Sequence, residues 1–300
     1  MRGLRVRVAR SHLSKLMKIS IRARTWRTIF KIILCLTIAI ACFRLIAPAT
    51  ATLDPAQFLI TQKGNLPIVI SAPHGGRNPI PGIPERQAVK GRKNVTVRDE
   101  NTAELAQKLA AFLEQKLGNK VYLTVAQFER KYVDANRSPD TAYDSEKAKP
   151  YYDAYHQNLR DACLEVQKQW GHGLLLDLHG QGASRRVIFR GTKNGLTVSS
   201  LRDRFGQSAI VGANSILGQL EKKGYQVFPA NNSPQQPEDA RFNGGYIVQN
   251  YGGKEGTGID AIQLELGTQQ RAKTQLDRTA SDLAEAIEVF AREYLPQSKL

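Results

Sequence analysis

The sequence predicts an α/β fold. Three observations point to it. Short continuous apolar runs end in Gly, His or acidic residues, as buried strands do. Between them lie segments with apolar residues at helical spacing. And residues 52–300 give 249 residues, enough for one sizeable core. The clearest run is Leu174-Leu-Leu-Asp-Leu-His-Gly180. Ligands and catalytic groups in open α/β sheets gather beyond the carboxyl ends of such strands, where His179 would stand. Asp177, two residues back, leaves the strand on the same side. A carboxylate there suits the orientation of a metal-ligating imidazole.

Residues 1–51 read as a secretory signal peptide. A basic region without acids is followed by the apolar stretch Ile32 to Ile46 and then by Ala49-Thr-Ala51. The apolar part is shorter than the roughly 20 residues of a membrane span. Met17 is an alternative start, and a retained anchor is the alternative to cleavage. This leader holds eleven Lys and Arg, so the net charge of +16 falls to +5 without it. The basic balance is therefore poor support for nucleic-acid binding. Cys35 and Cys42 lie in the leader, which leaves Cys163 alone in the mature chain. That excludes an internal disulfide and a cysteine-based metal site, and Cys163 reads as a small core residue.

From residue 57 the elements follow in order. Phe58 to Gln62 and Leu66 to Ser71 read as strands, the second ending in Ala72-Pro-His-Gly-Gly76. Glycines beside His74 would let backbone approach a ligand closely. Residues 77–98 read as a long polar loop, functional or mobile. A helix should start at Asp99, with the carboxylate as its cap, and run to Gly118 on Leu105, Leu109, Phe112, Leu113 and Leu117. Val121 to Val125 is a strand, and the polar stretch after it holds Arg130, Asp134, Asn136 and Arg137. Residues 151–169 form an amphipathic helix that places His156 at its surface or at the edge of a site. Val187 to Arg190 is a strand, 197–222 a helix weakened at Gly206 and Gly212, and Tyr225 to Phe228 a short strand. The glycine- and aromatic-rich stretches 242–246 and 250–253 should wall a pocket. Ala261 to Leu266 alternates, with Gln263 and Glu265 on one face, and a last helix spans 274–294.

These clusters allow one chemistry in particular. Of the histidines in 52–300, His74 and His179 end apolar strands and abut glycine. Two histidines and one carboxylate meet the ligand count of a catalytic zinc with an open water position. Glu265 would serve as general base, and Arg130 would face a developing oxyanion. Asn136 and Arg137 would clamp a substrate carboxylate. Each group also has a plain structural reading, as a buried ion pair, a satisfied core histidine or a solvated loop.

In order along the chain, Ser71-Ala-Pro-His-Gly-Gly76, Arg98-Asp-Glu-Asn-Thr-Ala-Glu-Leu105, Asp134-Ala-Asn-Arg137, Asp177-Leu-His-Gly-Gln-Gly182, Phe242-Asn-Gly-Gly-Tyr246 and Ile262-Gln-Leu-Glu-Leu266 resemble the N-formylglutamate amidohydrolase family, itself related to zinc carboxypeptidases and aspartoacylase. The resemblance implies a three-layer α/β/α fold of the phosphorylase/hydrolase-like, zinc carboxypeptidase-like kind, with a mixed, mostly parallel central sheet. It implies one Zn2+ per chain, held by His74, Asp99 and His179, with Glu85 as the alternative to Asp99, because the carboxypeptidase position three residues after the first histidine is Arg77 here. It implies Glu265 and Arg130 as catalytic residues and Asn136 with Arg137 as the holders of a substrate carboxylate. The expected protein is an exported zinc amidohydrolase, periplasmic or extracellular. Its substrate would be an N-acyl amino acid or a peptide-like molecule, wall-derived and γ-glutamyl peptides included. It would bind no nucleic acid and meet a membrane only through an uncleaved leader. The alternative is a non-catalytic binding module on the same fold, against which the retention of Glu265 speaks.

Overall fold

The computed structural model describes residues 53–87, 94–233 and 235–296. The leader read over 1–51 lies outside them, as do residues 88–93 of the 77–98 loop. Seven strands, β1 (Leu59–Gln62), β2 (Ile68–Ala72), β3 (Tyr122–Ala126), β4 (Leu174–Gly180), β5 (Val187–Gly191), β6 (Gln226–Phe228) and β7 (Asp260–Leu266), form one sheet. Their order is β1-β3-β2-β4-β7-β5-β6. β3, β2, β4 and β7 run parallel, β1 and β5 pair antiparallel with β3 and β7, and β6 is parallel to β5. The sheet is mixed and mostly parallel, and the fold class is α/β as expected. The central strands are short, unbroken apolar runs because both of their faces are covered.

The longer helices are α1 (Thr102–Leu117), α2 (Lys149–Trp170), α3 (Ser199–Phe205), α4 (Ile216–Lys222), α5 (Tyr246–Tyr251) and α6 (Leu276–Tyr294). On one face of the sheet, Ile68, Ile70, Leu174, Leu176, Leu178, Ile262, Leu264 and Leu266 pack with the apolar stripes of α1, α4 and α6. The stripe of α1 is Leu105, Leu109, Leu113 and Leu117, and Gly118 ends the helix at φ 69°, its N–H bonding to Glu114 O. On the opposite face, Val69, Leu175 and Ala261 pack with Tyr155, Leu159, Cys163 and Val166 of α2 and with Ile247 and Val248 of α5. Each fully buried Leu or Val contributes about 1.5–3 kcal/mol of hydrophobic stabilisation. Cys163 is a free, buried core residue of α2.

Three readings of the sequence need correction. The stretch 197–222 is not one helix. It breaks after Phe205 and again at Gly212, so only α3, α4 and a single turn (Ser208–Val211) remain helical. Asp99 does not cap α1. The cap position is Asn101, held in the left-handed region at φ 63°, and the Asp99 carboxylate turns the other way to accept the Gly180 N–H at 3.0 Å. Finally, the glycines after His74 meet protein and not ligand. A Cβ on Gly75 would stand 2.4 Å from Ala103 N, and one on Gly76 would stand 2.3 Å from Phe128 O. They are there so that the chain leaving β2 can wedge between α1 and the loop after β3.

Candidate active site

The strand register gathers the polar residues. Ser71 of β2 stands opposite Asp177 of β4, Asp177 opposite Gln263 of β7, and His179 opposite Glu265. With a side-chain period of two, these groups share the face covered by α2. Ser71 Oγ donates to Asp177 Oδ1 at 2.6 Å. His74, just beyond β2, then reaches the same spot.

There, His74 Nδ1 lies 3.1 Å from His179 Nδ1. Asp99 Oδ2 is 3.4 Å from the first and 3.3 Å from the second. All three residues are buried, and their ligand atoms lie within 4.8 Å of one another. The far nitrogens are occupied. His74 Nε2 is 2.6 Å from Asp134 Oδ1, and His179 Nε2 is 2.8 Å from Asp177 Oδ2. Carboxylates accept, so each Nε2 carries a proton and donates it. In the neutral rings both Nδ1 lone pairs then point at one another and at a carboxylate oxygen. Acceptors so aimed are compatible only with a positive charge between them.

The electrostatics agree. Burial opposes the charged form of His179, yet Asp177 and Asp99 hold its pKa well above the usual histidine range. Burial likewise works against an ionised Asp99, but hydrogen bonds from His179 and His74, with Arg130 nearby, hold it well below the usual carboxylate range. Asp134 is also held low, its burial outweighed by His74 and Arg130. Carboxylates held low around two imidazoles make a cation site. A divalent metal ion with N/O ligands fits it, with Asp134 and Asp177 as the groups that aim the imidazoles.

Asp134 is a hub. Its Oδ1 also accepts the Asn136 N–H at 3.1 Å, and its Oδ2 accepts Arg130 Nε at 3.1 Å, with Arg137 Nε at 3.7 Å. Arg130 Nη1 reaches Asp99 Oδ1 at 3.3 Å, so its guanidinium bridges two carboxylates while it lines the pocket. Asn136 is committed inward. Its Oδ1 accepts Ile247 N–H at 2.8 Å, and its Nδ2 lies 3.4 Å from Gln263 Oε1. A Cβ on Gly245 would fall 2.2 Å from that Nδ2, so the Gly244-Gly245 turn is shaped around the asparagine. Arg137 is half-buried and faces the pocket. Burial raises the pKa of the Glu265 carboxyl above its usual value, opposed by the charge on His179. Gln263 Nε2 donates to Glu265 Oε1 at 2.9 Å.

His74, Asp99, Arg130, Asn136, Arg137, His179, Gln263 and Glu265 line one cavity of about 930 Å³, together with Lys193, Arg241 and the 242–246 stretch, while Asp134 and Asp177 lie behind it. So the structure brings His74, Asp99, His179, Glu265, Arg130, Asn136 and Arg137 together. Glu85 stands apart, exposed and paired with Lys131 at 2.9 Å. Reading the sequence missed the task of Asp134 at His74 and that of Gln263 at Glu265. Asp134 heads the Asp-Ala-Asn-Arg stretch, and its acid type beside three polar neighbours was the available signal. His156 does not line the cavity; its Nε2 donates to Ala135 O at 2.9 Å and its Nδ1 faces Tyr251 Oη at 2.7 Å.

Residues 144–270 match the N-formylglutamate amidohydrolase family model. That stretch contains His179 and Glu265 and follows His74 and Asp99. The match bears out, over that stretch, the resemblance read from the sequence. The fold is similar to that of N-formylglutamate amidohydrolase from Ralstonia eutropha JMP134, at 17% identity and TM-score 0.54, covering 79% of this chain and 98% of that one. It is also similar to a gene product from Agrobacterium tumefaciens, at 14% identity and TM-score 0.50, covering 78% and 95%. No curated protein matches the chain in sequence.

Proposed function

We propose that the protein is an exported, zinc-dependent amidohydrolase. Its substrate is a linear amide in an N-acyl amino acid or peptide-like molecule that carries a carboxylate. The convergence of His74 Nδ1, His179 Nδ1 and Asp99 Oδ2 carries this reading. Ligands about 2.0–2.1 Å from a tetrahedral zinc stand roughly 3.3 Å from each other. Here the three separations run from 3.1 to 3.4 Å. His74, Asp99 and His179 would hold one zinc per chain. Zinc, when bound, supplies a Lewis acid that lowers the pKa of water and polarises a carbonyl.

The chain's own residues supply the rest. Glu265, opposite His179 in the register, takes a proton from the attacking water on its carboxylate and delivers it to the leaving amine nitrogen. Its burial suits it to hold that proton in between. Arg130 brings positive charge to the carbonyl oxygen as negative charge grows there. Arg137 pairs with the substrate carboxylate, while Asn136 holds the 244–247 backbone that shapes the pocket. Asp134 and Asp177 keep both imidazoles in one tautomer. The cavity, about 930 Å³, is at the upper end of small-ligand pockets, which run roughly 300–1,000 Å³. That favours peptide-like substrates, such as γ-glutamyl or wall-derived peptides, over the smallest acyl amino acids.

The leader supports export, with residues 52–300 as the mature catalytic domain in the periplasm or outside the cell. N-terminal sequencing of exported protein should begin near Thr52. The deciding experiment is metal analysis of residues 52–300, with hydrolysis of N-formylglutamate and γ-glutamyl peptides before and after chelation. About one zinc per chain and a rate that chelator abolishes and zinc restores are expected. Undiminished hydrolysis by metal-free protein would end the zinc reading.

A further inference from the structure

The pocket wall that follows β5 carries a cation without a task. Lys193 is half-buried and lines the cavity. Its Nζ has one polar contact, Asn243 Oδ1 at 3.5 Å, and no carboxylate of the described residues pairs with it. Most other cations of the cavity are taken. Arg130 bridges Asp99 and Asp134, Arg241 pairs with Asp239, Arg98 pairs with Glu100, and Arg271 donates to three backbone carbonyls.

The turn that presents Lys193 is held at a conformational cost. Lys193, Asn194 and Gly195 all have positive φ, at 50°, 53° and 92°. Two successive non-glycine residues in that region persist only where the surroundings enforce them. Glu238 does so. Its buried carboxylate accepts Thr192 N–H at 2.8 Å, Thr192 Oγ1 at 2.5 Å and Asn194 N–H at 3.0 Å, and it is paired with Arg190 at 3.0 Å. Glu238 N–H in turn donates to Asn194 Oδ1 at 2.9 Å. On the pocket side, Lys193 N–H donates to Asn243 O at 2.7 Å. That bond ties the turn to the Gly244-Gly245 stretch, whose other side packs on Asn136, next to Arg137. Lys193 and Arg137 therefore flank the same glycine stretch and open on the same cavity. A lysine needed only for solubility requires no such brace.

We propose that Lys193, fixed on its Glu238-braced turn, is a specificity-determining residue that pairs with a second anionic group of the substrate while Arg137 takes the first. Preferred substrates are then amides bearing two negative charges. The word substrate rests on the hydrolase reading, but the binding role can be measured without turnover. The test compares glutarate with its monoamide glutaramate, which differ by one charge at nearly constant shape. Calorimetric titration of zinc-loaded residues 52–300 should show glutarate bound about tenfold more tightly, the value of one charge-assisted contact. Lys193→Met should bring the ratio of the two affinities near one, and Lys193→Arg should restore most of it. A ratio unchanged in Lys193→Met, or no binding of either acid to the unaltered protein, overturns the proposal. Rates on N-formylglutamate and N-formylglutamine separate the two ideas. A lost binding preference without any hydrolysis would leave Lys193 standing and the hydrolase reading fallen. Hydrolysis with an unchanged preference would do the reverse.

Discussion

The two faces of the central sheet come from the same strands and differ in kind. Toward α1 and α6, β4 presents Leu174, Leu176 and Leu178, and β7 presents Ile262, Leu264 and Leu266. Toward α2, β4 presents Leu175, Asp177 and His179, and β7 presents Ala261, Gln263 and Glu265. The first face is apolar along its whole length. The second is apolar at the start of each strand and polar at the end. Burying Asp177 and His179 without partners would cost several kcal/mol. They are tolerated because Ser71, Asp177, His179 and Asp99 satisfy one another. A period of two thus lets one strand hold the core with every other residue and aim chemistry with the rest.

Substitutions on the two faces should therefore fail in different ways. Glu265→Gln should keep the bound metal and lower turnover by about 10²–10⁴-fold, the usual worth of a general base. Steady-state rates beside metal content check this, and full activity would remove Glu265 from the mechanism. On the other face of the same strand, Leu264→Ala should cost about 2–5 kcal/mol in denaturant unfolding and leave metal content intact in the protein that remains folded. If it also emptied the metal site, the faces would not be independent. Asp134→Asn and Asp177→Asn each keep side-chain size and lose a charge that aims an imidazole. A loss of about 10–100-fold in metal affinity is expected, measured by competition with a chelating dye.

A further prediction concerns pH and the packing beside the sheet, away from both faces of the strands. Burial depresses the pKa of His156 to about 4, whereas in the unfolded chain it lies near the ordinary value of about 6.5. The unfolded state then binds more protons between these values, so the contribution of neutral His156 is whole above about pH 6.5 and is lost as pH falls toward 4. The loss amounts to roughly 3 kcal/mol at most. His156→Gln should flatten the stability profile in that window and leave it unchanged above pH 7. An equal slope in the variant would assign the acid sensitivity elsewhere.

How much could be read in advance followed the range of the interaction concerned. The runs at 68–72, 174–180 and 260–266 and the stripe of α1 were legible because periodicity is local. So were His74 and His179, each at the end of such a run. The breaks at 206 and 212 were visible as weak points, yet which of them ends a helix depends on what packs against it. The Asp99 carboxylate looked like a cap because its sequence neighbours allow one, and it was drawn away by the Gly180 amide, 81 residues further on. Asn136 looked like a substrate clamp, and its support of the backbone at Ile247 was not legible.

By itself the sequence determined the fold class, the strands and helices that build the core, and the residue types available for a metal site. Those depend on alternation and spacing along the chain, which water enforces by burying the apolar side. Only the tertiary structure decided that Asp99, and not Glu85, stands beside the two histidines, that Asp134 takes the N–H of His74, and that a buried Glu238 bends a turn so that Lys193 meets the pocket. These are choices among many side chains of similar chemistry. A directional bond between residues 60 or 106 positions apart is selected by packing geometry, which no local pattern encodes.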